Sequence, residues 1–314
     1  MKPRAILAAA ALLLAAAAPV PPQLTVQQLR AQYMTPADKI VTIGGVEVRY
    51  RDQGKGPVLL LLHGSNSTLD TWDGVAAKLV RKYRVIRFDL PPLGLSGPIS
   101  DAAKATLSGP DALMTGFLDH LKVKSVVAIG VSSGGTMAYY LAAKYPERVR
   151  ALIVSNSPSD PVDTSGVVNS PELDAAIARS KAAGGYRDRE YFRAYFRFLY
   201  GDPARLTETQ IDRVYTMIRR QTEPNFLHLH ALAGNNAETL SRLGKVKVPT
   251  LLIWGTTDKV LPLKAGLRLR DHLTATTPSI LLLDDVGHYP PIEVPDRFAA
   301  IVEAYLSQVL PAPQ

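Results

Sequence analysis

One pentapeptide restricts this chain more than any other segment: Gly130-Val131-Ser132-Ser133-Gly134. It is bracketed by Val126-Val127-Ala128-Ile129, a short apolar run of strand character, and by Gly134-Gly135-Thr136-Met137-Ala138, which opens a helical stretch. A serine between strand and helix sits on a sharp turn with its hydroxyl exposed. Glycines two residues before and two after it let the strand and helix pass closely without Cβ collisions. The string alone is a moderately specific signal; its bracketing and two downstream residues strengthen it. Asp258 lies four residues past Trp254, at the end of one apolar run, and His288 follows another, Leu281-Leu282-Leu283.

Around these points the chain alternates apolar strands with helices. Val41 to Tyr50 turns on Gly44-Gly45 like a hairpin, and Val58 to Leu62 is a continuous apolar run of buried-strand length. Further strands are expected over Arg84 to Leu90, Ala151 to Ser155, Val248 to Trp254 and Ser279 to Leu283, with helices over Leu69 to Tyr83, Asp111 to Leu121 and Pro295 to Leu310. This pattern predicts an α/β fold: a mostly parallel central sheet covered by helices on both faces, with the site at the carboxyl ends of the strands. One connection is too long. Asn156 to Lys247 spans 92 residues, where a crossover needs roughly a dozen or more. Helical patterns at Ser170 to Ala183, Arg189 to Tyr200, Thr207 to Gln221 and Pro224 to Leu243 point to a helical cap inserted over the carboxyl edge. The expected organisation is a leader (1–18), a linker (19–38), a core (39–156 and 248–310) and a cap (157–247).

A serine hydroxyl is a weak nucleophile unless a base takes its proton. His288, in a loop past a strand, is the candidate base, and the Asp258 carboxylate the candidate partner that fixes its tautomer and stabilises the imidazolium. Asp285, three residues before His288, is the nearest competitor and is read as shaping that loop; Asp160 is a weaker rival. A tetrahedral intermediate needs donors aimed at its oxyanion. The N–H of Ser133 is one candidate. A second comes from His63-Gly64-Ser65-Asn66-Ser67-Thr68 after the strand ending at Leu62: Ser65 N–H, with Asn66 as the alternative through backbone or side chain. His63-Gly64 also reads as a tight turn. His120, His272, His228 and His230 fall in predicted helices, and a spacing of two puts the last pair on different faces, against a metal site. No phosphate-binding glycine loop is present, and no cofactor is called for.

Composition narrows the rest. With no cysteine, disulfides and thiolate chemistry are excluded. The formal charge is +8, but basic residues are dispersed rather than clustered with aromatics, so nucleic-acid binding is not expected. Lys2 and Arg4 precede an apolar run from Ala5 to Ala18, too short to span a bilayer comfortably. It resembles a secretory leader with small residues at Ala15 and Ala17, which predicts a periplasmic or secreted protein; an uncleaved anchor is the alternative.

These residues in this order resemble the α/β-hydrolase superfamily, in its cap-bearing branch of esterases, enol-lactonases and related enzymes. The likeness covers roughly Ile40 to Leu310. It rests on Leu62-His63-Gly64, Phe88-Asp89-Leu90-Pro91-Pro92-Leu93-Gly94-Leu95-Ser96, Gly130-Val131-Ser132-Ser133-Gly134-Gly135, Trp254-Gly255-Thr256-Thr257-Asp258 and Gly287-His288-Tyr289-Pro290-Pro291-Ile292-Glu293. It implies the α/β-hydrolase fold and a triad of Ser132, Asp258 and His288. The chain departs from the family in carrying Pro92 where relatives commonly have a glycine, so positive φ must be avoided there. A serine nucleophile, where haloalkane dehalogenases and epoxide hydrolases place an aspartate, implies acyl transfer on a small ester-like or lactone substrate. Serine C–C hydrolases of meta-cleavage products, cofactor-free peroxidase-like relatives and, less favoured, a non-catalytic ligand receptor are the alternatives. Tyr191, Tyr195 and Phe198, with Phe192 and Phe196 beside them, form an aromatic stripe read first as packing and second as pocket lining.

Overall fold

The computed structural model describes residues 21–160, 166–218, 225, 228–229 and 236–310. The expected leader, 1–18, lies outside them, as do parts of the last two expected cap helices. Eight strands form one sheet: β1 (Lys39–Ile43), β2 (Val46–Gln53), β3 (Val58–Leu62), β4 (Arg84–Phe88), β5 (Val126–Val131), β6 (Val149–Ser155), β7 (Thr250–Gly255) and β8 (Ser279–Leu283). Their order is β1-β2-β4-β3-β5-β6-β7-β8. Only the β1/β2 and β2/β4 pairings are antiparallel, so β2 alone runs against the rest.

Alternation across the pleat builds two cores. Leu60 and Leu62 of β3, with Ala128 of β5 and Leu152 of β6, face one layer with α3 (Asp101–Thr106), α4 (Pro110–His120) and α5 (Ser133–Lys144). Leu59, Leu61, Val127, Ile129 and Ile153 face the other, against α2 (Asp73–Leu79) and the closing helix Pro295–Val309. Strands buried on both faces read as unbroken apolar runs, which is why they were visible in the sequence.

The segment expected to link the leader to the core contains a short helix. Val26–Tyr33 forms helix α1, started by a capping box in which Thr25 accepts from the Gln28 N–H and Gln28 accepts from the Thr25 N–H. Only Val26 and Leu29 are buried from it, too sparse an apolar face to announce a helix by periodicity. The Pro91-Pro92 bond is cis, and Pro92 is not among the residues with positive φ.

Between β6 and β7 stand α6 (Pro171–Ala182), α7 (Arg189–Leu199), α8 (Glu208–Ile218) and α9 (Asn236–Leu243). Ser170 and Asp188 cap the first two, each accepting a backbone N–H three residues on. Phe192, Phe196 and Leu199, at spacings of four and three, are buried along α7. Arg193 and Arg197 point outward and pair with Glu190, Glu208 and Glu172. Packing therefore accounts for much of the aromatic stripe, while Phe196 also lines a cleft with Asn66 and Thr71 of the loop after β3 and Val214 of α8.

The strand order reverses between β3 and β5: from β3 the chain moves outward to β4, then returns to the other side at β5. Loops leaving adjacent strands in opposite directions open a crevice at their carboxyl ends. The segment beginning at His63 leaves β3 there, and Ser132 leaves β5.

Candidate active site

Ser132 occupies φ 54°, ψ −128° between β5 and α5, a conformation that costs a non-glycine residue about 1–3 kcal/mol. The turn tolerates it because its neighbours are locked. A Cβ on Gly130 would strike the Gly134 carbonyl, and one on Gly134 would strike the Leu62 carbonyl. The Ser132 N–H donates to Ser155 O at 3.0 Å. The side chain is left half-buried at the strand tip.

Asp258 and His288 converge on it from the ends of β7 and β8. Asp258 Oδ1 accepts the N–H groups of Val260 (2.8 Å) and Leu261 (2.9 Å). Its Oδ2 lies 2.7 Å from His288 Nδ1. A carboxylate can only accept, so Nδ1 carries the proton and Nε2 presents a lone pair. That Nε2 is 3.0 Å from Ser132 Oγ. In the neutral ring the serine hydroxyl can donate to Nε2, and Asp258 and His288 are both buried.

The sequence reading missed three residues that hold this arrangement. Asn156, past the end of β6, donates from Nδ2 to the same Asp258 Oδ2 at 2.7 Å and accepts the Gly255 N–H at 3.2 Å. Its φ of +43° suits an asparagine better than most residues. Glu293 accepts the N–H groups of Gly287 (3.0 Å) and Tyr289 (3.3 Å), either side of the histidine, and that of Gly201 at 2.8 Å. Burial raises its pKa against the lowering effect of these donors. Tyr289 donates from its hydroxyl to Ser65 O at 2.8 Å, and burial pushes its phenol well above the usual range. A polar residue at a strand's carboxyl end was the one available signal for Asn156; Glu293 stood in the family-like segment without a role.

The loop after β3 lies beside the serine. Ser65 Oγ donates to Ser133 Oγ at 3.0 Å, so the two residues expected to supply oxyanion donors are neighbours. Ser133 opens α5, and its N–H is among those a helix leaves without an internal acceptor. His63 is buried, which lowers its pKa. Its Nε2 is 2.9 Å from the Leu90 N–H and must accept, so Nδ1 donates to Gly64 O at 2.8 Å. The turn falls at Ser65-Asn66, one step beyond the His63-Gly64 pair expected to make it. Asn66 takes φ +53°.

The competitors fall elsewhere. Asp285 has φ +59°, and its carbonyl accepts from Arg205, so it shapes the loop as expected. Asp160 pairs with Arg268 and lies 3.5 Å from His272. His228 Nε2 is 2.9 Å from Leu107 O, His120 ends α4, and His230 lies outside the described residues. Among the described residues no His, Asp and Glu cluster is arranged to hold a metal.

A family model described as the alpha/beta hydrolase fold matches residues 57–295. The chain belongs to the α/β-hydrolase family. Among its relatives is a 2-hydroxy-6-oxononadienedioate/2-hydroxy-6-oxononatrienedioate hydrolase of Paraburkholderia phymatum, 31% identical over 84% of this chain and 93% of that one. Solved structures with the same fold include a meta-cleavage product hydrolase from Pseudomonas fluorescens (TM-score 0.68, 21% identity, 86% of this chain and 97% of that one). Another is a thermophilic esterase from Thermogutta terrifontis (TM-score 0.66, 24% identity, 86% and 99%). Within this α/β-hydrolase, Ser132, Asp258 and His288 stand past the carboxyl ends of β5, β7 and β8.

Proposed function

We propose that the chain is a serine hydrolase in which Ser132 attacks a carbonyl, His288 takes and returns the proton, and Asp258 holds the imidazole and stabilises its charged form. The observation carrying this reading is the continuous relay of 3.0 Å from Ser132 to His288 and 2.7 Å from His288 to Asp258. The N–H groups of Ser133 and of Ser65, or of its neighbour Asn66, are the proposed oxyanion donors.

For the substrate, ester or lactone hydrolysis was the first expectation from the sequence. The relatives' names support C–C hydrolysis of a 2-hydroxy-6-oxo-dienoate better, and that is the class proposed. Such an enol reaches its 2-keto tautomer by moving a proton to carbon. Attack of Ser132 on the C6 carbonyl then breaks the C5–C6 bond, and the departing electron pair delocalises toward the C2 carbonyl. His288 returns the proton to that fragment, and water releases the acyl group as a carboxylic acid. An ester differs only in leaving as an alkoxide.

The purified protein should turn over a 2-hydroxy-6-oxo-dienoate faster than p-nitrophenyl esters or lactones, followed by loss of the dienoate chromophore. Faster ester turnover would return the assignment to a carboxylesterase. Ser132→Ala should abolish both activities and fluorophosphonate labelling; full activity in that variant would end the serine mechanism altogether.

A further inference from the structure

The loop beside Ser132 carries two carbonyls and two N–H groups in alternation, and their arrangement decides whether it attracts or repels an oxyanion. Gly64 O is tied to His63 Nδ1 at 2.8 Å, and Ser65 O to the Tyr289 hydroxyl at 2.8 Å. In a trans peptide the C=O and N–H point in opposite directions. Fixing Gly64 O therefore directs the Ser65 N–H, and fixing Ser65 O directs the Asn66 N–H. The loop is pressed close to the nucleophile: a Cβ on Gly64 would lie 2.9 Å from Ser132 Cβ and 3.1 Å from the Tyr289 hydroxyl.

Asn66 at φ +53° sits in the left-handed region, which asparagine adopts more readily than most non-glycine residues. Turn geometries related by a flip of the central peptide differ in the sign of φ at the residue that follows it. Turning the Ser65–Asn66 peptide over would exchange a donor for an acceptor. The Tyr289 hydroxyl opposes that flip. Its ring is held edge-on against His288 (centroids 5.1 Å apart) and packed on Phe196 of α7 (6.2 Å).

We infer that Tyr289 is a positioning residue for the oxyanion site: by tying down Ser65 O, its hydroxyl keeps the Ser65–Asn66 peptide in the orientation that presents the Asn66 N–H, not a carbonyl, beside Ser132. The inference rests on the serine-hydrolase reading above. It gives the residue after His288 a role separate from that of the histidine: His288 moves the proton, and Tyr289 sets the loop that receives the charge. It also ties the site to the inserted helices, since α7 supplies the ring behind the tyrosine.

The test is Tyr289→Phe, which keeps the ring and removes the tie. On any substrate the wild type turns over, kcat should fall about 10- to 100-fold, short of or near the loss of a whole oxyanion donor, with KM within about twofold. Affinity for a boronic acid, which adds to the serine as a tetrahedral anion, should fall by the same factor. A carboxylate product that only occupies the pocket should bind as before. A lower melting temperature with kcat and boronate affinity unchanged would make Tyr289 a packing residue and overturn the inference. Should Tyr289→Phe fail to fold, Asn66→Ala and Asn66→Gly read the same peptide from its other side. Both lack the side chain, but only glycine accepts positive φ readily. The alanine variant should be slower than the glycine variant by about the cost of positive φ, on the order of tenfold; equal rates would overturn the inference. Ser132→Ala, run in parallel, keeps failure of the serine mechanism distinct from failure of the positioning role.

Discussion

Two buried polar assemblies lie at the same end of this molecule and are built on opposite principles. In the site, Asp258 pairs with His288 alone among the described residues, and its remaining contacts are neutral N–H donors. Beneath the loop after β3, Arg49 is wholly buried among Asp38 (2.9 Å), Asp70 (3.1 Å) and Asp89 (3.1 Å). Arg51 joins Asp38 to Asp73 at 2.7 Å each. Arg213 of α8 reaches Asp70 and Asp73 at 3.6 Å, so this cluster links the sheet, the loop and the inserted helices. In the cluster the negative charges have resident cations. In the site, among the described residues, the one ionisable partner of the carboxylate is the His288 imidazole, which is a cation only when doubly protonated. A buried charge that already has its counter-ion holds structure; one that lacks it can stabilise a charge formed during turnover.

The sharpest way to break this contrast is to neutralise each assembly. Asp258→Asn should lower kcat about 10⁴-fold, as expected when a triad histidine loses the carboxylate that fixes its tautomer, with little change in melting temperature. Asp285→Asn should cost less than about threefold, because that residue contributes its backbone turn. The reverse ordering in steady-state kinetics would move the acid to Asp285.

Arg49→Met should do the opposite. Removing the cation strands carboxylates in the interior, which destabilises by about 3–5 kcal/mol, read as a shift of the urea midpoint. The folded fraction should keep most of its kcat. A variant that is fully stable but inactive would mean that the cluster serves the chemistry directly.

The smallest effect is the pH response. Burial would raise the Asp38 pKa, but hydrogen bonds from Arg51 and Arg49 and their charge hold it well below the carboxylate range. For Asp70, burial is likewise outweighed by Arg49. With folded values below unfolded ones, these groups contribute stability above about pH 4 that is lost as pH falls through the lowered values. Melting temperature should therefore decline on acidification below about pH 4, and Asp38→Asn should show a shallower decline from a lower starting point. Parallel curves would show that the cluster does not carry the acid sensitivity.

Much of this was legible in the chain. The strands could be read because a sheet covered on both faces demands unbroken apolar runs, as in Val58 to Leu62 and Val126 to Val131. Ser132, Asp258 and His288 could be picked because each stands a few residues past such a run. Helix α1 was not legible, since its start depends on a local capping box and only two of its residues are buried. Nor was the link from Asn156 to Asp258, separated by 102 positions, or that from Tyr289 to Ser65, separated by 224.

The sequence by itself determined the alternation of strands and helices, the tight turn at Ser132 and the order of the three candidate catalytic residues. These are local properties: periodicity, glycine placement and position relative to a strand end. Tertiary structure alone decided which aspartate meets His288, which nitrogen of His63 is protonated, and how the peptides beside Ser132 are turned. Each depends on the direction of a hydrogen bond between segments that adjoin only after the sheet has formed. An interaction lost beyond a few tenths of an ångström and a few tens of degrees leaves no trace in composition or spacing.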